Sequence, residues 1–326
     1  MPITVLGPQR RPTVRPVGPG AVTVTAGWQE RESDDAELDR ALGGSTVNLR
    51  LYARWLAVLD ADPELATAEL DHRAVLDELQ ELYALQVEQA ERAADAIRRS
   101  STRPRTRAAA LADAQSALQL LDARHLARVA QARADFAAAW RPAERDAVAW
   151  HRAEVAGQLA GAGTLVLTGG HVGVLLHVLQ VFDVRAPETV LAWSAGAMAL
   201  TDRVVLFSAG QAEAYGAGLG VLPELVLLPH ARRRLPLEDP VRLGALARRF
   251  APARCLVLDD GVRVEVGPGG ELPADARLIG PDGKLRPPAP ADLAQIDAEG
   301  PLEAADQPRA ADRPRSADQP RSAEGP

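Results

Sequence analysis

The stretch Thr189-Val-Leu-Ala-Trp-Ser-Ala-Gly-Ala-Met198 is the strongest indication of the fold in this chain. Its first five residues form an apolar run that is typical of a buried parallel strand. Small residues follow Ser194, and the segment continues as a helix. A sharp turn from strand to helix raises the turn residue above the sheet and aims free N–H groups towards it. We therefore predict a nucleophile elbow with Ser194 at its tip, although Ala192 stands where the G-x-S-x-G pattern has glycine. A helix-capping serine in a buried turn is the alternative.

Other apolar runs on both sides of this stretch also predict strands. A Gly169-Gly170 turn and a helix precede the elbow, and a helix over residues 239–250 separates two later strands. The alternation of strands and helices predicts an α/β fold with a doubly wound, mostly parallel sheet. The strands are expected at residues 21–25, 164–168, 189–193, 204–207, 223–228, 254–258 and 262–266.

The remaining segments differ from this pattern. Residues 46–150 have helical apolar stripes that are interrupted by prolines, which predicts a long helical hairpin inserted into the α/β domain of residues 20–285. The hairpin could be a dimer interface or a cover over the site. Residues 1–19 are rich in Pro, Gly and Arg and predict a flexible arm. Residues 286–326 contain three copies of a proline-punctuated hexapeptide and predict a disordered tail.

Composition narrows the class of protein. The 326 residues are 47% hydrophobic, which is enough for a full core, and the net charge of −7 argues against bulk binding to nucleic acid or to anionic membranes. The single cysteine, Cys255, excludes an internal disulfide framework and cysteine-rich metal sites. No signal-peptide pattern or membrane-spanning run is found, so we expect a cytoplasmic protein. We predict no cofactor and no metal.

Acyl transfer by a serine requires a base, an acid that orients the base, and N–H donors for the developing oxyanion. Ser194 is the candidate nucleophile and His230, just after the strand over residues 223–228, the candidate base. Asp260, after the strand over 254–258, is the candidate acid, and Asp259 is the less favoured neighbour. The candidate oxyanion donors are the backbone N–H groups of Gly169, Gly170 and Ala195.

Two further groups of residues are candidates for substrate binding. Trp28 and Gln29 follow the first predicted strand at the end where ligands bind in α/β sheets, although a solvated turn is equally compatible. Arg232 and Arg234 could hold a substrate carboxylate, since guanidinium groups bind carboxylates through two hydrogen bonds, or could be solvated.

These motifs resemble the cyanophycinase and aspartyl dipeptidase family of serine peptidases. The matching pieces are Gly169-Gly170, Ser194-Ala-Gly-Ala197, His230 with the arginines that follow it, and the acid after the next strand. The resemblance covers roughly residues 160–266. It implies a class I glutamine amidotransferase-like fold, Ser194 as nucleophile, His230 as base, and a substrate contact at His171. Asp260 lies where cyanophycinases usually carry glutamate.

Two hypotheses follow for the function. The first is a serine-type peptidase or amide hydrolase that forms an acyl-enzyme, on the acidic (aspartyl or β-aspartyl) peptides that the resemblance implies. The second is a catalytically inactive binding or scaffold protein that uses the helical hairpin as its interaction surface. A homodimer is compatible with either. Glutamine amidotransfer is disfavoured because Cys255 lies within a predicted strand rather than at the elbow.

Overall fold

The computed structural model describes residues 2–9, 14, 17–18, 20–208, 211–267 and 270–288. The strands are β1 (Ile3–Leu6), β2 (Ala21–Val24), β3 (Val47–Asn48), β4 (Thr164–Leu167), β5 (Thr189–Trp193), β6 (Arg203–Ser208), β7 (Gln211–Ala217), β8 (Leu225–Pro229), β9 (Arg254–Leu258), β10 (Arg263–Val266), β11 (Leu278–Ile279) and β12 (Leu285–Arg286). The helices are α1 (Ala36–Leu42), α2 (Leu51–Ala61), α3 (Pro63–Arg99), α4 (Pro104–Trp140), α5 (Asp146–Ala160), α6 (Val172–Val181), α7 (Ala195–Ala199), α8 (Ala231–Arg234) and α9 (Pro240–Phe250).

A six-stranded, mostly parallel sheet forms the centre of the α/β domain. Its strand order is β10-β1-β5-β4-β2-β3, and β10 alone in this sheet runs antiparallel to its neighbour. The apolar runs of β2, β4 and β5 are buried along almost their whole length, which is the pattern of strands covered on both faces. The mixed α/β fold with a mostly parallel sheet is therefore present.

The strands β8 and β9 pair in parallel in a second, four-stranded sheet with the order β12-β11-β9-β8. The sequence had placed them in the same sheet as β4 and β5. They lie apart because β10 occupies the outer edge of β1, where a further parallel strand would have paired. The predicted strand over residues 204–207 is β6, which forms an antiparallel ribbon with β7.

Residues 3–6 form strand β1, in contrast to the flexible arm that was predicted over residues 1–19. Strand β1 pairs with β5 on one side and with β10 on the other, and Val5 is fully buried. The strand is four residues long, and prolines and glycines follow it. Local composition therefore resembles a loop, whereas the pairing on both edges stabilises a strand.

The helical region between β3 and β4 contains the predicted hairpin. Helices α3 and α4 have 37 residues each and pack against one another. Asp62 caps α3 by accepting a hydrogen bond from the N–H of Leu65, and Pro63 occupies the first helical turn, where the missing N–H costs nothing. The helical region begins at Leu51, inside the predicted start at residue 46, and continues through α5 to Ala160, beyond the predicted end at residue 150.

Among the described residues, no helix is both long and apolar enough to cross a membrane. The predicted tail over residues 286–326 lies almost wholly outside the described part of the chain. Its first residue, Arg286, pairs with Leu278 as part of strand β12 in the second sheet.

Candidate active site

Ser194 lies at the turn between β5 and α7, as predicted for a nucleophile elbow. Its backbone has φ 52° and ψ −120°, a region that residues with a side chain rarely adopt. Such a conformation costs about 1–3 kcal/mol and persists only where the surrounding structure imposes it. Ser194 is half-buried, and its hydroxyl caps no N–H of α7. The hydroxyl is therefore not used as a helix cap.

Gly196 explains why α7 can follow so closely on the strand. A Cβ at this position would lie 2.4 Å from the carbonyl oxygen of Leu167 and 2.6 Å from that of Thr168, at the end of β4. Only glycine allows the helix to approach the neighbouring strand this closely. Ala192, the departure from the glycine pattern, is fully buried within β5.

The Gly169-Gly170 turn lies directly against Ser194. A Cβ on Gly169 would lie 3.1 Å from Ser194 Cβ and 3.4 Å from its Oγ. Gly170 has φ 117° and packs against Gly27, whose carbonyl oxygen accepts a hydrogen bond of 2.7 Å from the N–H of His171. The ends of β2, β4 and β5 are thus packed together with almost no side chains between them.

Three backbone N–H groups are available beside the serine. Within the described chain, the N–H groups of Gly169, Gly170 and Ala195 donate no hydrogen bond, whereas those of Thr168 and His171 on either side are used. Ala195 begins α7, where the first N–H groups of a helix have no partner within the helix. The predicted donors are therefore free to bind an anion.

His230 follows β8 in a left-handed conformation, with φ 59° and ψ 32°. Its N–H donates to the carbonyl oxygen of Leu258, which ties the end of β8 to the end of β9. Burial lowers the pKa of the imidazole below its ordinary 6.5, the nearby Arg234 lowers it further, and Asp260 opposes both. The ring therefore stays neutral, and able to accept a proton, at a lower pH than an exposed histidine.

The two candidate acids have different surroundings. Asp259 is buried, and its Oδ1 accepts a hydrogen bond of 2.9 Å from the N–H of Arg232 at the start of α8. Asp260 is exposed and makes no side-chain hydrogen bond within the described chain. Both carboxylates raise the pKa of His230, Asp260 the more strongly, but neither is hydrogen-bonded to its ring.

The elements that carry Ser194 and His230 meet at one rim. Leu6 at the end of β1 pairs with Trp193, the residue before the serine. The next residue, Gly7, lies so close to the backbone of Asp259 that a Cβ would be 1.8 Å from its carbonyl oxygen. The C-terminal ends of β5, β1 and β9 are therefore adjacent. Among the described residues, no hydrogen bond joins Ser194 Oγ to His230.

No protein-family model matches this chain, and no curated protein matches it. Among solved structures, a chain described as a peptidase from an acI-B1 actinobacterium is similar over 86% of this chain and 91% of its own length. The two are 12% identical, with a TM-score of 0.38. A similarity at this level carries no argument about the fold or the activity of this protein.

Two of the predicted substrate-binding residues, Trp28 and Gln29, have different surroundings in the structure. Gln29 has φ 58° and ψ −121°, a strained conformation like that of Ser194, in the 3-10 helix after β2. Trp28, by contrast, packs against the buried cluster that contains Leu6 and Trp193. Gln29 therefore remains a candidate for substrate binding, while the indole of Trp28 has a packing role.

The candidates near α6 and α8 already have partners. His171 is exposed, and its Nδ1 accepts a hydrogen bond of 3.1 Å from the N–H of Val174, so it caps α6. The Arg232 side chain is largely exposed, with its Nε 3.5 Å from Asp259 Oδ2. The Arg234 guanidinium lies over the ring of Phe207, 5.6 Å from its centroid. Each has a structural contact besides the proposed binding role.

Two glycines of this rim were missed by the sequence reasoning. Gly7 and Gly27 both lie where a Cβ would collide with backbone of another segment. Gly27 was present in the turn after the first predicted strand, but no local pattern distinguishes a glycine needed for close approach from one in an open turn. Cys255 lies inside β9, where burial raises the pKa of its thiol to about 12, so it is protonated and unreactive.

Proposed function

We propose that this protein is a serine-type peptidase or amide hydrolase with a class I glutamine amidotransferase-like fold. In this proposal Ser194 is the nucleophile, His230 the general base and Asp260 the acid that stabilises the charged imidazole. The backbone N–H groups of Gly169, Gly170 and Ala195 hold the oxyanion. The resemblance of these motifs to the cyanophycinase and aspartyl dipeptidase family suggests peptides with aspartyl or β-aspartyl groups as substrates.

The observation that carries the proposal is the strained backbone of Ser194. A serine that merely ended a strand would relax to an ordinary conformation, whereas this one is held at φ 52° beside three unused N–H donors. Backbone strain of this kind is concentrated at reactive sites. The glycines around it allow the neighbouring backbone segments to approach the serine closely.

The proposed reaction has two steps. His230 takes the proton of the Ser194 hydroxyl as its oxygen attacks the amide carbon, and the resulting oxyanion is held by the free N–H groups. The imidazolium then gives its proton to the leaving amine, which leaves an acyl-enzyme. Water, deprotonated by His230, hydrolyses the ester and restores the serine.

Labelling with a fluorophosphonate tests this proposal. We expect wild type to be labelled and Ser194→Ala to give no label. His230→Ala should be labelled at least about 100-fold more slowly than wild type, because general-base catalysis typically contributes at least this factor to the rate. Ser45→Ala is the matched control, since Ser45 is exposed on a loop, and it should label like wild type. Labelling that persists in Ser194→Ala would contradict the proposal.

A second candidate is a non-catalytic binding or scaffold protein. It is favoured by one observation, the lack of a hydrogen bond between Ser194 and His230 among the described residues. If folded wild type neither labels nor cleaves a library of aspartyl and isoaspartyl dipeptides, this second reading replaces the first. The helical hairpin would then be the surface to test for interactions.

A further inference from the structure

A cavity of about 520 Å³ lies between the helical hairpin and α6, beside the candidate active site. Helices α3 and α4 form one wall, and α6 with Tyr215 of β7 forms the other. His171 and Gly173 line its edge, two and four residues after Gly169. The volume is in the usual range for a small-molecule site. No residue of this cavity is needed for the proposed serine chemistry.

Arg133 lines this cavity without an acidic partner. Its Nη1 donates to the side-chain oxygen of Gln180 at 3.0 Å, and it forms no ion pair within the described residues. Burial lowers the pKa of its guanidinium, which shows that the charge is held in an unfavourable setting. A half-buried cation without a counter-ion is costly.

Three other arginines that are shielded from solvent have acidic partners. Arg249 is paired with Asp122 and Glu91, Arg145 with Asp62, and Arg54 with Glu154. Arg133 has no such partner within the described chain. Arg73, an exposed residue of α3, lines the same cavity and lowers the pKa of Glu69 there. One half-buried cation without an acidic partner and one exposed arginine therefore share this cavity.

The acids of the cavity do not neutralise both charges. Burial raises the pKa of Glu69 to about 7, so its carboxyl is largely protonated in mildly acidic solution. The neighbouring His177 has its Nε2 3.9 Å from Glu69 Oε2. Its ring is neutral because burial, together with Arg73 and Arg133, lowers its pKa to about 3. His177 Nε2 is buried and has no hydrogen-bond partner.

The lining carries an excess of positive charge. Arg141 at the rim pairs with Glu144, whereas Arg152 donates only to the carbonyl oxygen of Val181, which does not neutralise its charge. The lining contains four arginines, Arg73, Arg133, Arg141 and Arg152, and three acids, Glu69, Asp77 and Glu144. The excess is therefore at least one positive charge, which fits an anionic ligand.

Part of the lining is apolar. Leu76 and Phe136 lie on the hairpin side, and Val174 lies on α6. Phe136 stacks on His72 with 4.4 Å between ring centroids, which holds the ring in place. A ligand of this cavity therefore has a charged end and an apolar body.

We propose that this cavity binds a small organic carboxylate, with the carboxylate on Arg133 and Arg73 and the apolar part against Phe136. Guanidinium groups hold carboxylates through paired hydrogen bonds, and a bound carboxylate would supply the acidic partner that Arg133 lacks within the described chain. The proposal goes beyond the proposed hydrolase function, and it does not depend on Ser194 being a nucleophile.

Calorimetric titration of the full-length protein with 3-phenylpropionate tests it, with the neutral 3-phenylpropionamide as the matched ligand. We expect saturable binding of the acid at up to about 10 mM and none of the amide, because only the acid carries the charge. Arg133→Met should weaken binding at least about 10-fold, the loss expected for one charge-assisted contact. Arg124→Met, an exposed arginine on the same helix, should bind like wild type.

Several outcomes would overturn the proposal. The proposal would be wrong if the protein did not bind 3-phenylpropionate, or if it bound the amide as tightly as the acid. It would also be wrong if a folded Arg133→Met variant bound the acid with unchanged affinity, or if the protein bound inorganic phosphate but not the acid. Circular dichroism of each variant shows whether it is folded, and Arg133→Gln gives a second test if Arg133→Met is not. Ser194→Ala should bind like wild type, so failure of the hydrolase proposal would not affect this result.

Discussion

Ser194 and His230 both have backbone conformations with positive φ, and both stand at the first residue after a strand. Each residue therefore stands at the C-terminal end of a strand, and both are half-buried. The chemistry proposed for them depends on the protonation state of one imidazole. Charged groups on two different segments, α8 and the turn after β9, act on that imidazole in opposite directions.

This opposition gives a prediction for the pKa of His230. Arg234→Gln removes a positive charge that disfavours the imidazolium, so the pKa should rise. Asp260→Asn removes a negative charge that favours it, so the pKa should fall. NMR titration of the imidazole checks both, with His230→Gln to assign the signal among the six histidines. Shifts in the same direction would contradict the arrangement described here, and Glu238→Gln is the control.

The same pKa sets the pH dependence of the proposed reaction. A base must be neutral to accept a proton, and the pKa of His230 lies below 6.5. The midpoint of the acid limb of the labelling rate should therefore lie below pH 6.5, and it should move to higher pH in Arg234→Gln.

The helical hairpin is joined to the α/β domain by a buried polar cluster formed by Tyr83, Asp122 and Arg249. Arg249 of α9 donates to both oxygens of Asp122 on α4, at 2.9 Å and 2.7 Å. The Tyr83 hydroxyl donates to Asp122 at 2.5 Å and accepts from the N–H of Ala214 on β7 at 3.0 Å. Four elements, α3, α4, α9 and β7, are thus held together by one satisfied network.

Removing one charge of this cluster should be strongly destabilising. Arg249→Met leaves the Asp122 carboxylate buried without a cation, which typically costs about 3–5 kcal/mol in the free energy of unfolding. Asp122→Asn should cost less, because Arg249 keeps its ion pair with Glu91. Arg263→Met, which breaks an exposed pair with Glu265, should cost at most about 1 kcal/mol. Urea denaturation measures both.

The double variant Asp122→Leu/Arg249→Met sharpens this test. Because it removes both charges, it should be more stable than Arg249→Met alone. Equal stability of Arg249→Met and the Arg263→Met control would show that the cluster does not anchor the hairpin.

The candidate site depends on how the six-stranded central sheet and the four-stranded second sheet meet. The central sheet provides Ser194 and its glycine surroundings, and the second sheet provides His230 and both aspartates. The contact between Gly7 and Asp259 joins them at the rim. A change at this contact should therefore affect the activity as well as the stability.

Gly7→Ala tests this connection. Its Cβ would lie 1.8 Å from the Asp259 carbonyl oxygen, so the backbone segments must separate, at a cost of about 1–3 kcal/mol. We expect loss of Ser194 labelling even at temperatures where the variant is folded. Gly18→Ala is the matched control, since no atom lies within 4 Å of a Cβ there. Wild-type labelling in Gly7→Ala would contradict this role.

Elements with a strong local pattern could be predicted from the sequence. The apolar runs of β4, β5, β8 and β9 and the stripes of α3 and α4 follow from periodicity, and proline marks where both long helices begin. The elbow at Ser194 was predicted in the same way, because small residues directly after an apolar strand are a local signal.

Features that depend on distant partners could not be predicted in this way. Strand β1 reads as part of a loop because its pairing with β5 and β10 is non-local. The division into two sheets follows from which strand occupies the edge of β1, and the use of Asp259 as a partner of Arg232 follows from the packing of α8. The cavity around Arg133 exists only because the hairpin folds back on α6. Local propensity is encoded within a few neighbouring residues, whereas these contacts join segments that only the folded chain brings together.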